Sequence, residues 1–185
     1  MTQALAEESA TPATNATPPS KAALANVQQR ERISAVNNWR GQCLDNFARA
    51  EHAILRCSER LLALDQPCVF KLEETAGNRT RTLGRSLLDT WPKQPESKRL
   101  ASLLDQWSIR EKERNELVHG RFTIRAGCDS AWLLINETSG VKKGMVIAGR
   151  SMLDSRQAEA FLKQVIAERK QLEEALEAFE VTVVA

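Results

Sequence analysis

The chain has 185 residues, of which 42% are hydrophobic and 27% are charged, a composition that supports one buried core in a single domain. Its formal net charge of +2 excludes a polycation of the kind that coats duplex DNA, so any nucleic-acid contact must come from a local basic patch. No apolar run is long enough to cross a bilayer, and the first residues lack the basic and apolar regions of a secretory signal.

Residues that bind soft metals are few. The chain has four cysteines and two histidines: Cys43, Cys57, Cys68, Cys128, His52 and His119. No two of the cysteines form a Cys-x-x-Cys pair, so a zinc site is disfavoured and we expect neither a metal nor another cofactor. This cysteine usage and the missing signal indicate a protein of the reducing cytoplasm that does not associate with a membrane.

The first half of the chain predicts a tail and one long helix. Residues 1–20 are rich in Ala, Thr, Pro, Asn and Ser without periodic apolar positions, so we expect a disordered tail, and a single domain over residues 21–185. From about Ala22 to Leu64 there is no proline, and Pro67 ends the segment. Apolar residues recur there at spacings of three and four: Val36, Trp39, Cys43, Phe47, Ala50, Ile54, Cys57, Leu61 and Leu64. This spacing is one face of a long amphipathic helix, in which Gly41 could mark a bend.

Two further helices follow a predicted loop over residues 66–79. The first covers Arg81 to Trp91 and is ended by Pro92. The second runs from about Glu96 to His119, with apolar spacing at Leu100, Leu103, Leu104, Trp107 and Val118. Gly120 is then the residue past the helix end.

The remaining chain predicts strands and a last helix. Phe122 and Ile124 alternate with polar residues, and residues 131–135 and 145–148 are short apolar runs. Ser139-Gly140 and Lys143-Gly144 supply turn residues, so an antiparallel β-meander over about residues 121–149 is expected. Asp154 and Gln157 resemble a capping box that opens a final helix to about Glu180. The predicted class is therefore mainly α, with a small antiparallel meander inserted before the last helix.

The segment that points most clearly to chemistry is Arg114-Asn115-Glu116-Leu117-Val118-His119-Gly120. On a helical wheel Arg114 continues the apolar stripe that contains Leu100 and Trp107. A charge on an inward face needs a partner, which Glu111, three residues upstream, could supply. Asn115 and His119 lie beside the stripe.

This Arg-x4-His segment resembles the signature of the HEPN superfamily (higher eukaryotes and prokaryotes nucleotide-binding domains), many of whose members are metal-independent ribonucleases. The resemblance implies a HEPN-like helical bundle that forms a homodimer, with a composite cleft containing both copies of Arg114 and His119. It also implies that Arg114 holds the scissile phosphate, that His119 transfers a proton, and that Asn115 positions either of them. Such nucleases often act as toxins or in defence against phage, sometimes restrained by a partner antitoxin.

Further residues are candidates for supporting roles. Some family members place an acidic residue on another helix opposite the arginine, and Glu51 could orient Arg114 or His119 in this way, or could be a surface carboxylate. A basic rim for RNA is expected from four residues near the motif: Arg81, Arg85, Arg110 and Arg121. The alternative for these arginines is a set of solvated faces and helix ion pairs.

The sequence is also compatible with two other functions. The long apolar stripes also suit a non-catalytic module for dimerisation or protein interaction, and a nucleotide-binding domain without hydrolysis is a third reading. In those cases His119 would interact with the carbonyls at the end of its helix, and Arg114 would be paired with Glu111. The strand region, which is foreign to the minimal family fold, could cover the cleft, contact a substrate or bind a partner.

Overall fold

The computed structural model describes residues 20–63, 74–128, 131–142 and 145–184. Its elements in chain order are α1 (Lys21–Ala63), α2 (Ala76–Thr90), α3 (Pro95–His119), β1 (Arg121–Arg125), β2 (Leu133–Lys142), β3 (Met145–Asp154) and α4 (Ser155–Val184). The predicted class is confirmed, because the chain is mainly helical with a three-stranded antiparallel sheet before the last helix.

The long first helix forms as its apolar spacing predicts. All eight stripe residues from Val36 to Leu61 are buried in the core. Gly41 does not break the helix, which continues over 43 residues. Leu64, Pro67, Cys68 and the predicted tail up to residue 19 lie outside the described residues.

The four helices pack around one apolar core. Helix α4 runs parallel to α1, because Trp39 Nε1 donates to Ala158 O at 2.8 Å and Arg60 forms an ion pair with Glu180 at the far end. Helices α2 and α3 form an antiparallel hairpin against this pair. Aromatic contacts join the layers, with ring centroids 5.5 Å apart for Phe47 and Trp107.

Helices α2 and α3 differ from the prediction at their ends. Helix α2 begins at Ala76, five residues early, because the Thr75 side chain accepts a hydrogen bond from the Asn78 N–H and caps a first turn that has little apolar pattern. At the end of α3, Leu117 is buried and Val118 only partly, the reverse of the predicted stripe. The sheet lies beside this last turn and gives Leu117 apolar neighbours that the wheel could not include.

The sheet is a meander in the order β1-β2-β3. Arg121 is paired with Glu137, and Leu134 with Leu153. The expected turn at Ser139-Gly140 is wrong, because both residues lie inside β2 and pair with residues of β3. The second expected turn, at residues 143–144, lies outside the described residues.

The sheet is anchored to α1 by Trp132, next to the start of β2, and joined to α4 by the expected cap. Trp132 is buried, with its ring centroid 6.0 Å from that of Trp39. Asp154 Oδ1 accepts from the Gln157 N–H at 2.8 Å, and Gln157 Oε1 accepts from the Asp154 N–H at 3.0 Å. The capping box at the start of α4 is therefore confirmed.

Candidate functional site

A cleft of about 530 Å³ lies between the middle of α1, the N-terminal turn of α2 and the C-terminal half of α3. Six of the residues singled out in the sequence line it: Glu51, Arg81, Glu111, Arg114, Asn115 and His119. Three helices that are distant in the sequence thus contribute to one surface. Arg114, Asn115 and His119 of the Arg-x4-His segment line this surface.

Arg114 is paired across the cleft with α1. Its Nε lies 3.1 Å from Glu51 Oε1, and its Nη1 donates to Asn115 Oδ1 at 3.3 Å. The alternative partner, Glu111, instead accepts from the hydroxyl of Thr80 at 2.7 Å. The expected Arg114–Glu111 ion pair is therefore wrong, because Glu111 turns into the contact with α2 while Arg114 reaches towards α1.

Glu111 is the buried carboxyl of the cleft, with 8% of the residue exposed. It fits against the first turn of α2 because Gly77 has no side chain: a Cβ built there would lie 2.3 Å from Glu111 Oε2. Burial raises the pKa of Glu111, and the charge of Glu51 raises it further. The Thr80 hydrogen bond and the charges of Arg81 and Arg114 oppose this shift without cancelling it.

His119 ends α3 with its side chain exposed, while its backbone is held from α1. Arg40 Nε donates to Leu117 O at 2.7 Å and Nη2 donates to Val118 O at 3.3 Å, so two carbonyls of the last turn are satisfied. The same guanidinium lies 4.9 Å from the ring centroid of Phe122 in β1. Arg40 is a residue that the sequence analysis missed, since nothing in the pattern of α1 distinguishes it from a surface arginine.

Gly120 caps α3, and it is required for space. Its φ of −72° is extended backbone, so no left-handed conformation is involved. Its N–H donates to Glu116 O at 3.0 Å, and Asn136 Nδ2 from β2 donates to the same oxygen at 3.4 Å. A Cβ at Gly120 would lie 1.8 Å from Asn136 Oδ1. The glycine therefore lets the sheet approach the residue next to His119.

The four arginines expected to form an RNA rim do not share one surface. Arg81 lines the cleft, where its Nε donates to Gly77 O at 3.0 Å. Arg85 lines a neighbouring groove between α2 and α3, which Arg81 also lines, and Arg121 lies on the sheet beside Glu137. Lys112 was not singled out in the sequence and adds a third basic residue to the cleft, beside Arg81 and Arg114.

Arg110 is the fourth arginine, and it joins α3 to α4. Its Nε and Nη2 donate to the two carboxylate oxygens of Glu168, each at 2.7 Å, and Nη1 donates to Glu113 at 2.8 Å. The guanidinium also lies 5.7 Å from the ring centroid of Phe161. The hydrogen bond to Arg110 lowers the pKa of Glu168, so this contact is a charged network within the fold.

No group of three or more His, Cys, Asp or Glu side chains in the described part of the chain is arranged to hold a metal ion. None of the helices described combines the length and apolarity needed to cross a membrane. Comparison of the sequence with protein-family models and curated proteins, and of the fold with solved structures, finds no match.

Proposed function

We propose that the protein is a HEPN-like, metal-independent endoribonuclease that cleaves RNA by attack of a 2′-hydroxyl on the adjacent phosphate. One observation carries this proposal: the cleft that contains Arg114, Asn115 and His119 also contains Glu51, placed by another helix against the arginine. The motif thus opens onto a polar cleft, with the arginine supported from outside its own helix.

Arg114 would bind the scissile phosphate. Glu51 lies at its Nε and Asn115 at its Nη1, and Nη2 has no protein acceptor in the described part of the chain. The ion pair to Glu51 and the hydrogen bond to Asn115 restrain the guanidinium, while Nη2 remains available as a donor to a nonbridging phosphate oxygen. The positive charge would stabilise the phosphorane, in which negative charge accumulates on those oxygens.

His119 would transfer protons. Attack forms a bond between the 2′-oxygen and phosphorus and breaks the bond from phosphorus to the 5′-oxygen, leaving a 2′,3′-cyclic phosphate and a 5′-hydroxyl. One group must remove the 2′ proton and another must protonate the 5′-oxygen, and histidine does both near neutral pH. A single copy of the cleft has one histidine, so a homodimer with a composite cleft would supply the second.

The setting that follows from the proposal is a cytoplasmic toxin or phage-defence nuclease. Such an enzyme damages its own cell unless it is restrained, so a regulatory protein of the antitoxin type is the partner to seek. Arg81 and Lys112 on the cleft wall would contact phosphates that flank the cleaved bond.

The test is cleavage of mixed single-stranded RNA in EDTA by wild type, His119→Ala, Arg114→Ala and Arg114→Lys. We expect wild type to leave 2′,3′-cyclic phosphate ends and all three variants to lose at least about a hundredfold in rate. The matched controls are His52→Ala, an exposed histidine elsewhere on α1, and Arg85→Ala, which lies outside the cleft. Full activity of either alanine variant in the motif would remove that residue from the mechanism.

A second candidate is a non-catalytic dimerisation module, and the Arg114–Glu51 ion pair is compatible with it. In that case the arginine has a structural role, and Arg114→Lys keeps the charge and the pair. A folded wild-type dimer that leaves RNA intact, together with unchanged stability of Arg114→Lys, would favour this candidate.

A further inference from the structure

Strands β2 and β3 extend beyond β1 as a two-stranded arm. Strand β1 starts at Arg121, opposite Glu137, whereas β2 continues from Thr138 to Lys142 and pairs there with Met145–Gly149 of β3. Arg121 follows His119 by two residues, so the arm leaves the fold next to the C-terminal end of α3. Beyond Glu137 no third strand covers this arm in the described residues.

Within the described part of the chain, no strand pairs with the free side of β3, which is an edge of the sheet. The ten residues of β3 pair with β2 without a bulge, contain no proline, and include a single charged residue, Arg150, before the terminal Asp154. Three large apolar side chains of the strand are exposed: Met145 by 65%, Ile147 by 49% and Met152 by 61%. Proteins normally protect such edges with charges, proline, bulges or a covering element. An edge without these features is suited to pairing with another strand.

The β1 edge of the sheet differs from the β3 edge because a helix contacts its backbone. Gln29 Nε2 in α1 donates to Ile124 O of β1 at 3.2 Å. A helix therefore satisfies one backbone carbonyl on the β1 side.

We infer that β3 pairs in antiparallel fashion with β3 of a second copy of this chain, which joins two sheets into one of six strands. A two-fold axis at Gly149 overlaps the nine residues from Met145 to Leu153. Met145 then faces Leu153 of the second copy, and Ile147 faces Ser151. Arg150 faces Ala148, so the two copies of this charge are not directly opposite one another.

The apolar pattern of the strand is the reason for choosing a second copy over a foreign strand. Large apolar residues stand near both ends of the segment, at Met145, Ile147, Met152 and Leu153, with Ala148 and Gly149 between them. In an antiparallel pair of two copies, the large side chains at one end of the segment therefore lie against those at the other end of the second copy. Residues opposite each other about Gly149 also share a face of the sheet, because their numbers differ by an even count.

The backbone shows which residues would form the new hydrogen bonds. The Ser155 N–H donates to Trp132 O, on the β2 side, whereas the Asp154 N–H donates to the side chain of Gln157. Because directions alternate along a strand, the N–H groups of Met152, Arg150 and Ala148 point away from β2. Proline at Ala148 therefore removes a donor of the open edge and leaves the β2–β3 ladder intact.

The test is the molar mass of the full-length protein by sedimentation equilibrium over a concentration series. We expect a wild-type dimer, and a dissociation constant weakened at least about tenfold in Ala148→Pro and in Ile147→Lys. Ala148→Thr is the matched control, since it keeps the N–H and suits a strand, and it should remain dimeric. If circular dichroism shows that the proline variant is misfolded, Ile147→Lys decides.

Two results would overturn the inference. One is a monomeric wild type at concentrations on the order of 100 µM, where even a weak specific interface is populated. The other is a wild-type dimer that folded Ala148→Pro and Ile147→Lys leave unchanged. The inference does not rest on the ribonuclease proposal: a β3-dependent dimer that does not cleave RNA contradicts that proposal alone. A monomer that cleaves RNA contradicts the β3 pairing and the composite cleft, and leaves the cleavage chemistry standing.

Discussion

Replacement of Gly120 by alanine tests the join between the motif helix and the sheet. The new Cβ would lie 1.8 Å from Asn136 Oδ1 and 2.6 Å from Glu116 O, and both distances are too short for any real contact. The amide of Asn136 can rotate, but the carbonyl of Glu116 is backbone and also accepts the Gly120 N–H. The clash of the new Cβ can therefore be relieved only if the end of α3 and the sheet move apart.

The expected cost is about 2–3 kcal/mol, the upper part of the range for overpacking, because one of the two neighbours is backbone. Gly41→Ala is the matched control. It makes the same chemical change in the middle of α1, where a Cβ meets nothing within 4 Å. An alanine in an open helical position should stabilise the fold by about 0.5–1 kcal/mol. The same glycine-to-alanine change is thus expected to lower the free energy of unfolding at position 120 and to raise it at position 41.

Urea denaturation measures both variants. With a slope of about 2 kcal/mol per molar, Gly120→Ala should lower the midpoint by about 1 M and Gly41→Ala should raise it slightly. Asn136→Ala, added to Gly120→Ala, removes the closest contact and should recover about 1 kcal/mol beyond additivity. A Gly120→Ala protein as stable as wild type would refute the close approach of β2 to the end of α3.

Three further predictions concern charges and caps. The raised pKa of Glu111 means that its contribution to stability is fully present below its ordinary value of 4.5 and is lost as pH rises through the raised folded value. The free energy of unfolding of wild type relative to Glu111→Gln should therefore fall over that rise, and a flat difference would contradict the burial of this carboxyl. Asp154→Ala should cost about 1 kcal/mol in urea melts through loss of the α4 cap, whereas the same change at exposed Asp105 should cost less than about 0.5. If the cleft cleaves RNA, Glu51→Gln should lower the rate by about tenfold to a hundredfold through misplacement of Arg114, and an unchanged rate would remove Glu51 from the site.

The sequence predicts the helices well because their patterns are long. The stripe of α1 repeats over more than seven turns, so the helix does not depend on any single position of the pattern. The helix begins at Lys21, within a residue of the expectation, and continues to Ala63, the last described residue of this segment. The strands of the β2–β3 arm were predicted too short because their sequence has no comparable apolar pattern. Ser139 and Gly140 are exposed on a projecting ladder, so no buried face imposed an alternating pattern, and the same two residues suit a turn.

Helical spacing alone predicted the candidate site only within α3, and Glu51 of α1 was named only through the family resemblance. Helical spacing brings Arg114 and Asn115 together and places His119 at the helix end, but it contains no information about which other helix crosses there. Glu51 was one of several carboxylates that could have reached the arginine, and Glu111 was nearer in sequence. The choice between them follows from packing, since α2 occupies the side of α3 that Glu111 faces.

Arg110 and Arg114 show why residue type and spacing alone cannot separate a binding residue from a structural one. They are four residues apart on α3, and each is paired with a glutamate from a different helix. Arg110 donates through both ends of its fork to Glu168 and also to Glu113, so its donors are largely satisfied within the fold. Arg114 has Glu51 Oε1 near Nε and a weaker contact to Asn115, and among the described residues its Nη2 has no acceptor. Under the proposed function a phosphate would therefore bind Arg114 without displacing these protein contacts, whereas at Arg110 it would have to break the ion pair between α3 and α4.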